Sequence, residues 1–382
     1  IGKSRLVHEL FVAVDERPEL IFWRKGRCLP YGDGVAFWAL GEILKSHAGI
    51  LEGEREERAE SKLRSAVADV VPEAAEAAWV TRELQPLLGL SDGADAGASE
   101  DRRVESFAAW RRFFEGLAEQ RLLIIVLEDL HWADEGLLDF VDHLVDWATG
   151  IPILVVATAR PELLTRRPGW SGGKPNATTI SLSPLTGHET STLLHGLLEQ
   201  TVLPADVQSL LLDRAGGNPL YAEEFARIAL ERDALGGGEL PLPESVQGLI
   251  SARLDTLTDE EKALVQDASV VGKVFWLGAL AQLGAGVERS SVEELLRGLQ
   301  RKQFVRRERR SSMEGDDQYS FEHTLVRDVA YGQIPRADRA EKHRRAAAWI
   351  ESLGRPDDLA ELRAHHYVSA IEALPAAGDD ED

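Results

Sequence analysis

The chain has 382 residues, a formal net charge of -22, 44% hydrophobic and 28% charged residues, and a single cysteine, Cys28. That length supports more than one domain, since single cores rarely grow beyond about 250 to 300 residues, and no run approaches the ~18 consecutive apolar residues of a membrane helix. The acidity speaks against a general affinity for nucleic acid or anionic lipid, and a lone cysteine excludes a disulfide framework, so a soluble protein of the reducing cytoplasm is expected.

Taken in chain order, Ser4 to Asp15 places Leu6, Val7, Leu10, Phe11 and Val14 at the spacing of an amphipathic helix, so Gly2-Lys3-Ser4 opens a helix. Glu19 to Cys28 reads as a short strand and Val35 to Ser46 as a helix. Residues 51 to 105 are charged and alanine-rich, helical around a loop at Ser91 to Ser99. Phe107 to Gln120 is helical. Leu122 to Leu127 is a continuous apolar run ending in Glu128-Asp129, and a second, Ile151 to Thr158, ends in Ala159-Arg160. Strands apolar on both faces and separated by helices predict a parallel α/β sheet. Thr178 to Leu182 reads as its last strand.

Beyond that point the pattern becomes helical: Gly187 to Gln200, Pro204 to Arg214 and Tyr221 to Arg232. Gly236 to Pro243 reads as a linker to a third region of helices with a strand pair around Phe304-Val305 and Tyr319 to Phe321. From Arg336 the chain is helical and polar, and the acidic Gly378 to Asp382 reads as a frayed tail. The opening Ile1 leads to the expectation of a piece of a longer protein.

Gly2-Lys3-Ser4 matches the last three positions of G-x-x-x-x-G-K-[ST], a phosphate-binding loop. Glycine lets backbone N–H groups approach phosphate, lysine reaches the β and γ oxygens, the serine hydroxyl joins a Mg²⁺ shell, and the helix adds its positive end. Alone the triplet is weak, since roughly one chain in five of this size holds one by composition. It gains weight from Glu128 and Asp129 at a buried strand end, where one carboxylate would bind metal and the other polarise an attacking water. Arg160, ending the next strand, reaches the same side of the sheet. Three such sites at the carboxyl ends of strands lie where open α/β sheets bind ligands.

The stretches IGKSRLVHEL, RCLPYGDG, LLIIVLEDLHWADE, ILVVATARPELL, GGNPLYAEE and FEHTLVRDVAY, in that order, resemble the STAND class of regulatory, AAA-like P-loop ATPases. The likeness is to the module fused to bacterial adenylate or guanylate cyclases and to large LuxR-type transcription regulators. It implies an α/β P-loop NTPase with a three-layer parallel sheet lacking its first strand, over 1–185; a helical lid domain over 186–235; a winged-helix-like domain over 244–335; and the start of a TPR-like helical region over 336–382. Carried over by position, Gly2, Lys3 and Ser4 end the Walker A motif, and Glu128 and Asp129 match the Walker B acids, with the division between metal ligand and base left open. Arg160 matches the sensor arginine, Pro219 a proline that lies against adenine, and His323 a histidine on the β-phosphate. ATP or ADP with Mg²⁺ is the implied cofactor. Slow hydrolysis, an attached amino-terminal effector, carboxy-terminal repeats and ATP-dependent self-association complete what the resemblance implies.

Plainer readings stand beside these. His131 and Trp132 read as packing, Pro219 as a turn former, and His323 as a helix-start residue. The basic cluster Arg301-Lys302, Arg306-Arg307 and Arg309-Arg310 reads as a solvated or interdomain face, because Glu308 and Glu314 are close and nothing aromatic interleaves it. Two rival functions remain at this point, a scaffold that holds nucleotide without significant turnover and a P-loop motor.

Overall fold

The computed structural model describes residues 2–29, 37–90, 100–198, 205–234, 245–284, 287–353 and 359–374. The expected loop at 91–99, linker at 236–243 and tail at 378–382, and residues 30–34 of RCLPYGDG, lie outside them. Helix α1 spans Lys3–Asp15, followed by β1 (Phe22–Arg27), α2 (Trp38–Ala48), α3 (Glu56–Ala68), α4 (Ala74–Leu84), α5 (Glu100–Gln120), β2 (Leu123–Glu128), α6 (Glu135–Trp147), β3 (Ile153–Ala157) and α7 (Glu162–Arg166). The three strands form a parallel sheet in the order β1-β2-β3. Strand β2 is central and buried throughout, which is why its sequence is unbroken apolar.

Two helical layers cover this sheet. On one face α1 lays Val7 and Val14 on Ile124 and Val126 of β2; on the other, Ile125 and Leu127 join Leu40 and Ile43 of α2, Phe113 of α5 and Phe140 of α6. Gly26 permits the close approach of α2, since a Cβ there would lie 2.2 Å from the Ala39 carbonyl oxygen. Asp134 caps α6 by accepting from the Leu137 N–H at 2.9 Å and also accepts the Phe37 N–H at 3.0 Å, tying α6 to the start of α2.

Thr178–Leu182 is a correction: it forms no strand, and Ile180 is 71% exposed. A strand persists only where its N–H and C=O groups find a ladder, and none reaches this segment among the described residues. The outer edge of β3 is likewise unpaired there, with Leu154 exposed. Helix α5 begins at Glu100, ahead of the expected Phe107, and Arg103 in its added turns pairs with Asp139 of α6.

Helices α8 (Gly187–Leu198), α9 (Ala205–Ala215) and α10 (Pro219–Ala234) gather around a small core of Leu194, Leu211, Tyr221 and Phe225. Then come α11 (Val246–Leu254), α12 (Asp259–Val271), β4 (Val274–Trp276), α13 (Leu277–Leu283), α14 (Arg289–Arg301), β5 (Val305–Arg307), β6 (Gln318–Phe321), α15 (Thr324–Gly332), α16 (Arg336–Glu351) and α17 (Ala360–Ala373). The expected strand pair is present as β5 and β6, which join β4 in an antiparallel sheet ordered β4-β6-β5. Helix α11 is shared: Leu249 enters the core of α8–α10, whereas Ile250 and Leu254 enter the next. Between the two, Arg253 is 1% exposed, pairs with Glu224 of α10, donates to the Lys302 carbonyl at 2.7 Å and lies 4.4 Å from the Phe304 ring centre.

The third region docks on the sheet domain. Trp38 packs against its core, the Glu52 N–H donates to the Ser312 carbonyl, and Arg58 approaches Glu314 at 3.9 Å.

Candidate functional site

The amino end of α1 and the carboxyl ends of β2 and β3 meet on one side of the sheet. Gly2 caps α1 in the left-handed region at φ 76°, with open space around the position of a Cβ, and Lys3 and Ser4 form the helix's first turn. Lys3 is half-buried and Ser4 exposed. At the tip of β2, Asp129 adopts φ 58°, a conformation that costs a non-glycine residue about 1 kcal/mol or more and that persists where surroundings impose it. Here they are Thr158, whose hydroxyl accepts the Asp129 N–H at 3.2 Å and whose carbonyl accepts the Leu130 N–H at 2.8 Å.

His131 reports the convergence. It lies on a short turn, Leu130–Trp132, and feels the charges of Asp129, Arg160, Glu162 and Lys3 together. Burial pushes its imidazole below the ordinary range; Arg160 and Lys3 push the same way, against Asp129 and Glu162. Lys3, Asp129 and Arg160 are each near enough to act on the His131 ring, and no hydrogen bond or ion pair joins their side chains to one another among the described residues. The side chains of Lys3 and Arg160 have no hydrogen-bond or ion-pair partner among the described residues. Two cations without ion-pair partners, one of them in the first turn of a helix, are groups that could hold an anion.

Glu128 is differently engaged. Its two oxygens are taken by Lys25 Nζ at 2.9 Å and Arg27 Nη2 at 2.8 Å, with Arg27 Nε donating at 3.1 Å. Burial alone would raise its carboxyl; Arg27 and Lys25 outweigh burial and hold it at about 2. The cause is register: Arg27 is the partner of Glu128 across β1 and β2, and Lys25, two residues earlier, points to the same face. Asp129 is the acid of the pair that these cations leave open. It faces Lys273 of the third region instead, with Lys273 Nζ 3.9 Å from its Oδ2. Lys273 follows Gly272 and precedes β4; burial and Arg27 lower its ammonium to about 8 while Asp129 and Glu128 oppose them.

Pro219 opens α10 after Gly216-Gly217, whose carbonyl accepts the Leu185 N–H at 2.9 Å. His323 caps α15 and lies 3.6 Å from Glu223 of α10. Neither has a hydrogen bond or ion pair with Lys3, Asp129 or Arg160 among the described residues. Cys28 is buried, and burial with Asp134 and Asp129 nearby pushes its thiol up to about 12, so it offers no thiolate.

No group of three or more His, Cys, Asp or Glu that could hold a metal by itself occurs among the described residues. The residues nevertheless fit a divalent cation that arrives with a polyphosphate: Mg²⁺ takes one or two protein oxygens and completes its shell with phosphate and water. The Asp129 carboxylate and the Ser4 hydroxyl are the groups that would serve. Sequence reasoning missed Lys25, Arg27, His131 and Lys273; the Glu-Asp pair signals a site, but only register shows what occupies Glu128.

The profile of the AAA ATPase domain family matches residues 1–156. Residues 1–156 are thus similar to the P-loop ATPases of that family. An uncharacterized protein of Rhizobium meliloti is 26% identical over 405 aligned residues, which take in 99% of this chain but 37% of that protein's length. Among solved structures, the Aeropyrum pernix Orc1 protein in complex with DNA is 16% identical, with 87% of this chain and 84% of that one covered, at a TM-score of 0.34. A Thermotoga maritima RuvB variant is 14% identical over 87% of this chain and 94% of that one, with a TM-score of 0.27. Scores of that size carry no argument about this chain. The AAA match ends before Arg160. No helix among the described residues is long and apolar enough to cross a membrane.

Proposed function

We propose that this chain is a nucleotide-operated switch of the STAND type, in which slow ATP hydrolysis at the AAA ATPase domain sets the position of the regions that follow. The observation that carries the reading is the Lys273–Asp129 contact at 3.9 Å, which joins the third region to the acid at the tip of β2.

In this reading Lys3 holds the β and γ oxygens, the amino end of α1 adds its N–H groups, and Arg160 meets the γ-phosphate. Asp129 and Ser4 hold the metal. Mg²⁺, when bound with the nucleotide, neutralises charge on the β and γ oxygens. Glu128 keeps Lys25 and Arg27 in place behind Asp129. Pro219 lies against adenine and His323 reaches the β-phosphate in the resting form, which requires His323 to leave Glu223.

A ligand at ~1,000 times its dissociation constant stabilises what it binds by about 4 kcal/mol, yet it shifts a two-state equilibrium only by its difference in affinity for the two states. Lys273 supplies such a difference. Lys273 already holds the Asp129 carboxylate at 3.9 Å, so that carboxylate would have to release Lys273 to serve a divalent cation. In this reading the loaded site would loosen the third region by freeing Lys273, and the emptied site would let Lys273 return to Asp129. The lid domain over 186–235, the winged-helix-like domain over 244–335 and the TPR-like start over 336–382 are the moving parts. The output is an attached amino-terminal effector, of cyclase or LuxR-regulator type, in the cytoplasm, with further repeats and ATP-dependent self-association completing the assembly.

The test pairs two variants of the protein. Lys3→Ala is expected to abolish ATP binding with its circular dichroism unchanged, and normal binding would remove the nucleotide reading. Lys273→Gln is expected to tighten Mg²⁺-ATP binding by about twofold to fivefold, the worth of one partly exposed ion pair, and to raise deuterium uptake at residues 51–53 and 312–314. Unchanged affinity together with unchanged uptake sinks the switch while sparing the nucleotide.

A further inference from the structure

His131 is 8% exposed, and both of its ring nitrogens are buried with no hydrogen-bond partner among the described residues. An imidazole presents one donor and one acceptor, and leaving either unpaired in the interior costs free energy that an apolar side chain of similar size would not incur. If the residue only packed beside Trp132, whose ring centre is 5.1 Å away, the fold would have no use for its nitrogens. The turn that carries it is held firmly. Arg166 donates to the His131 carbonyl at 3.1 Å and to the Ala133 carbonyl at 2.5 Å, and the Trp132 N–H donates to the Asp129 carbonyl at 2.9 Å.

The charges around the ring say what could satisfy it. Lys3 and Arg160, the two unpaired cations, act on His131 together with Asp129 and Glu162. A group entering among them is an anion held by two cations, and its oxygens accept hydrogen bonds. We propose that His131 is a substrate-contacting residue that donates one ring N–H to the terminal phosphoryl group of a bound nucleoside triphosphate, while its other nitrogen accepts from a water beside that group. The inference rests on the nucleotide reading and deepens it: the donor distinguishes a triphosphate from a diphosphate, because the γ-phosphoryl oxygens are the ones it meets. Buried polar groups left unpaired by the wrong ligand are a strong source of discrimination.

The experiment measures binding of ATPγS and of ADP, each with Mg²⁺, to the whole chain and to His131→Leu, His131→Gln and Lys3→Ala, together with ligand-free melting temperatures. His131→Leu is expected to melt at or above the parent's temperature, since it removes an unsatisfied group, and to bind ATPγS about tenfold more weakly, the worth of one hydrogen bond to a charged group, with ADP affinity unchanged. His131→Gln, which keeps a donor and an acceptor, restores part of the preference. A lowered melting temperature with an unaltered ATPγS-to-ADP ratio makes His131 a packing residue and overturns the proposal. Loss of ATPγS binding in Lys3→Ala beside an unaltered ratio in His131→Leu defeats this inference alone, whereas wild-type binding in Lys3→Ala defeats it together with the nucleotide reading.

Discussion

Replacing Glu128 by glutamine separates two roles that sequence alone leaves joined. A catalytic base or metal ligand can be neutralised with little effect on folding. A carboxylate that holds two cations cannot. Glu128 lies at about 2 in the folded chain against an ordinary 4.5, and each unit of that gap is worth about 1.4 kcal/mol, so its ionised form contributes about 3 kcal/mol to stability. Its side chain is only 11% exposed and that of Arg27 13%, so solvent screens the pair weakly. The folded value is depressed; the contribution is therefore complete above the unfolded value, near pH 4.5, and is lost as pH falls toward 2. Urea unfolding of the parent and Glu128→Gln, followed by far-ultraviolet circular dichroism from pH 8 to pH 3.5, reads this directly. The difference between the two proteins should be about 3 kcal/mol and flat from pH 8 to pH 5, then shrink by up to about 1.4 kcal/mol per unit below pH 4.5. A difference near zero at pH 7, with ATP turnover abolished, would refute the structural role and return Glu128 to the chemistry.

Two further outcomes follow from buried geometry. Gly26→Ala drives a methyl group to 2.2 Å from the Ala39 carbonyl oxygen, so α2 must shift; a loss of about 1 to 3 kcal/mol is expected in the same urea assay, and an unchanged midpoint would show that α2 yields freely. At the other end of the chain, the buried His343 bonds the Tyr331 hydroxyl at 2.9 Å and His366 Nδ1 at 2.9 Å; burial, then His365, Arg327 and Arg339, depress it to about 3. A histidine depressed by folding contributes fully above its unfolded value near 6.5 and loses up to about 1.4 kcal/mol per unit below it, so amide exchange in α16 and α17 should quicken between pH 7 and pH 5, and equal protection at both would contradict the buried neutral pair.

What could be read from the sequence was whatever depends on neighbours in the chain. Leu122 to Leu127 announces a strand covered on both faces because continuous apolarity has no other use at that length, and the structure places β2 at the centre of the sheet. Thr178 to Leu182 has equally good local credentials but finds no ladder, for pairing is a property of the partner strand and not of the segment. The site divides in the same way. Lys3, Asp129 and Arg160 could be nominated together from sequence because strand ends and helix starts in an α/β alternation fall on one side of a sheet by topology. The locking of Glu128 was not, since it depends on the register that sets Arg27 opposite it across 101 positions of sequence. His131 stayed hidden for a different reason. A histidine next to a tryptophan in a polar turn looks the same whether its nitrogens face water or are buried without a partner, and burial of single polar atoms has no signature in residue spacing. Lys273 lies further still from local inference, in another region, where Gly272-Lys273 reads only as the end of a helix. Lys25 and Arg27 reach Glu128 from the neighbouring strand and Lys273 reaches Asp129 from the third region, whereas His131 lies in the turn that Asp129 begins. Under the proposed switch the Lys273–Asp129 contact opens when the site is loaded; were the seating of the third region fixed, Lys273 would stay a permanent counter-charge to Asp129, and nucleotide would leave deuterium uptake at residues 51–53 and 312–314 unchanged.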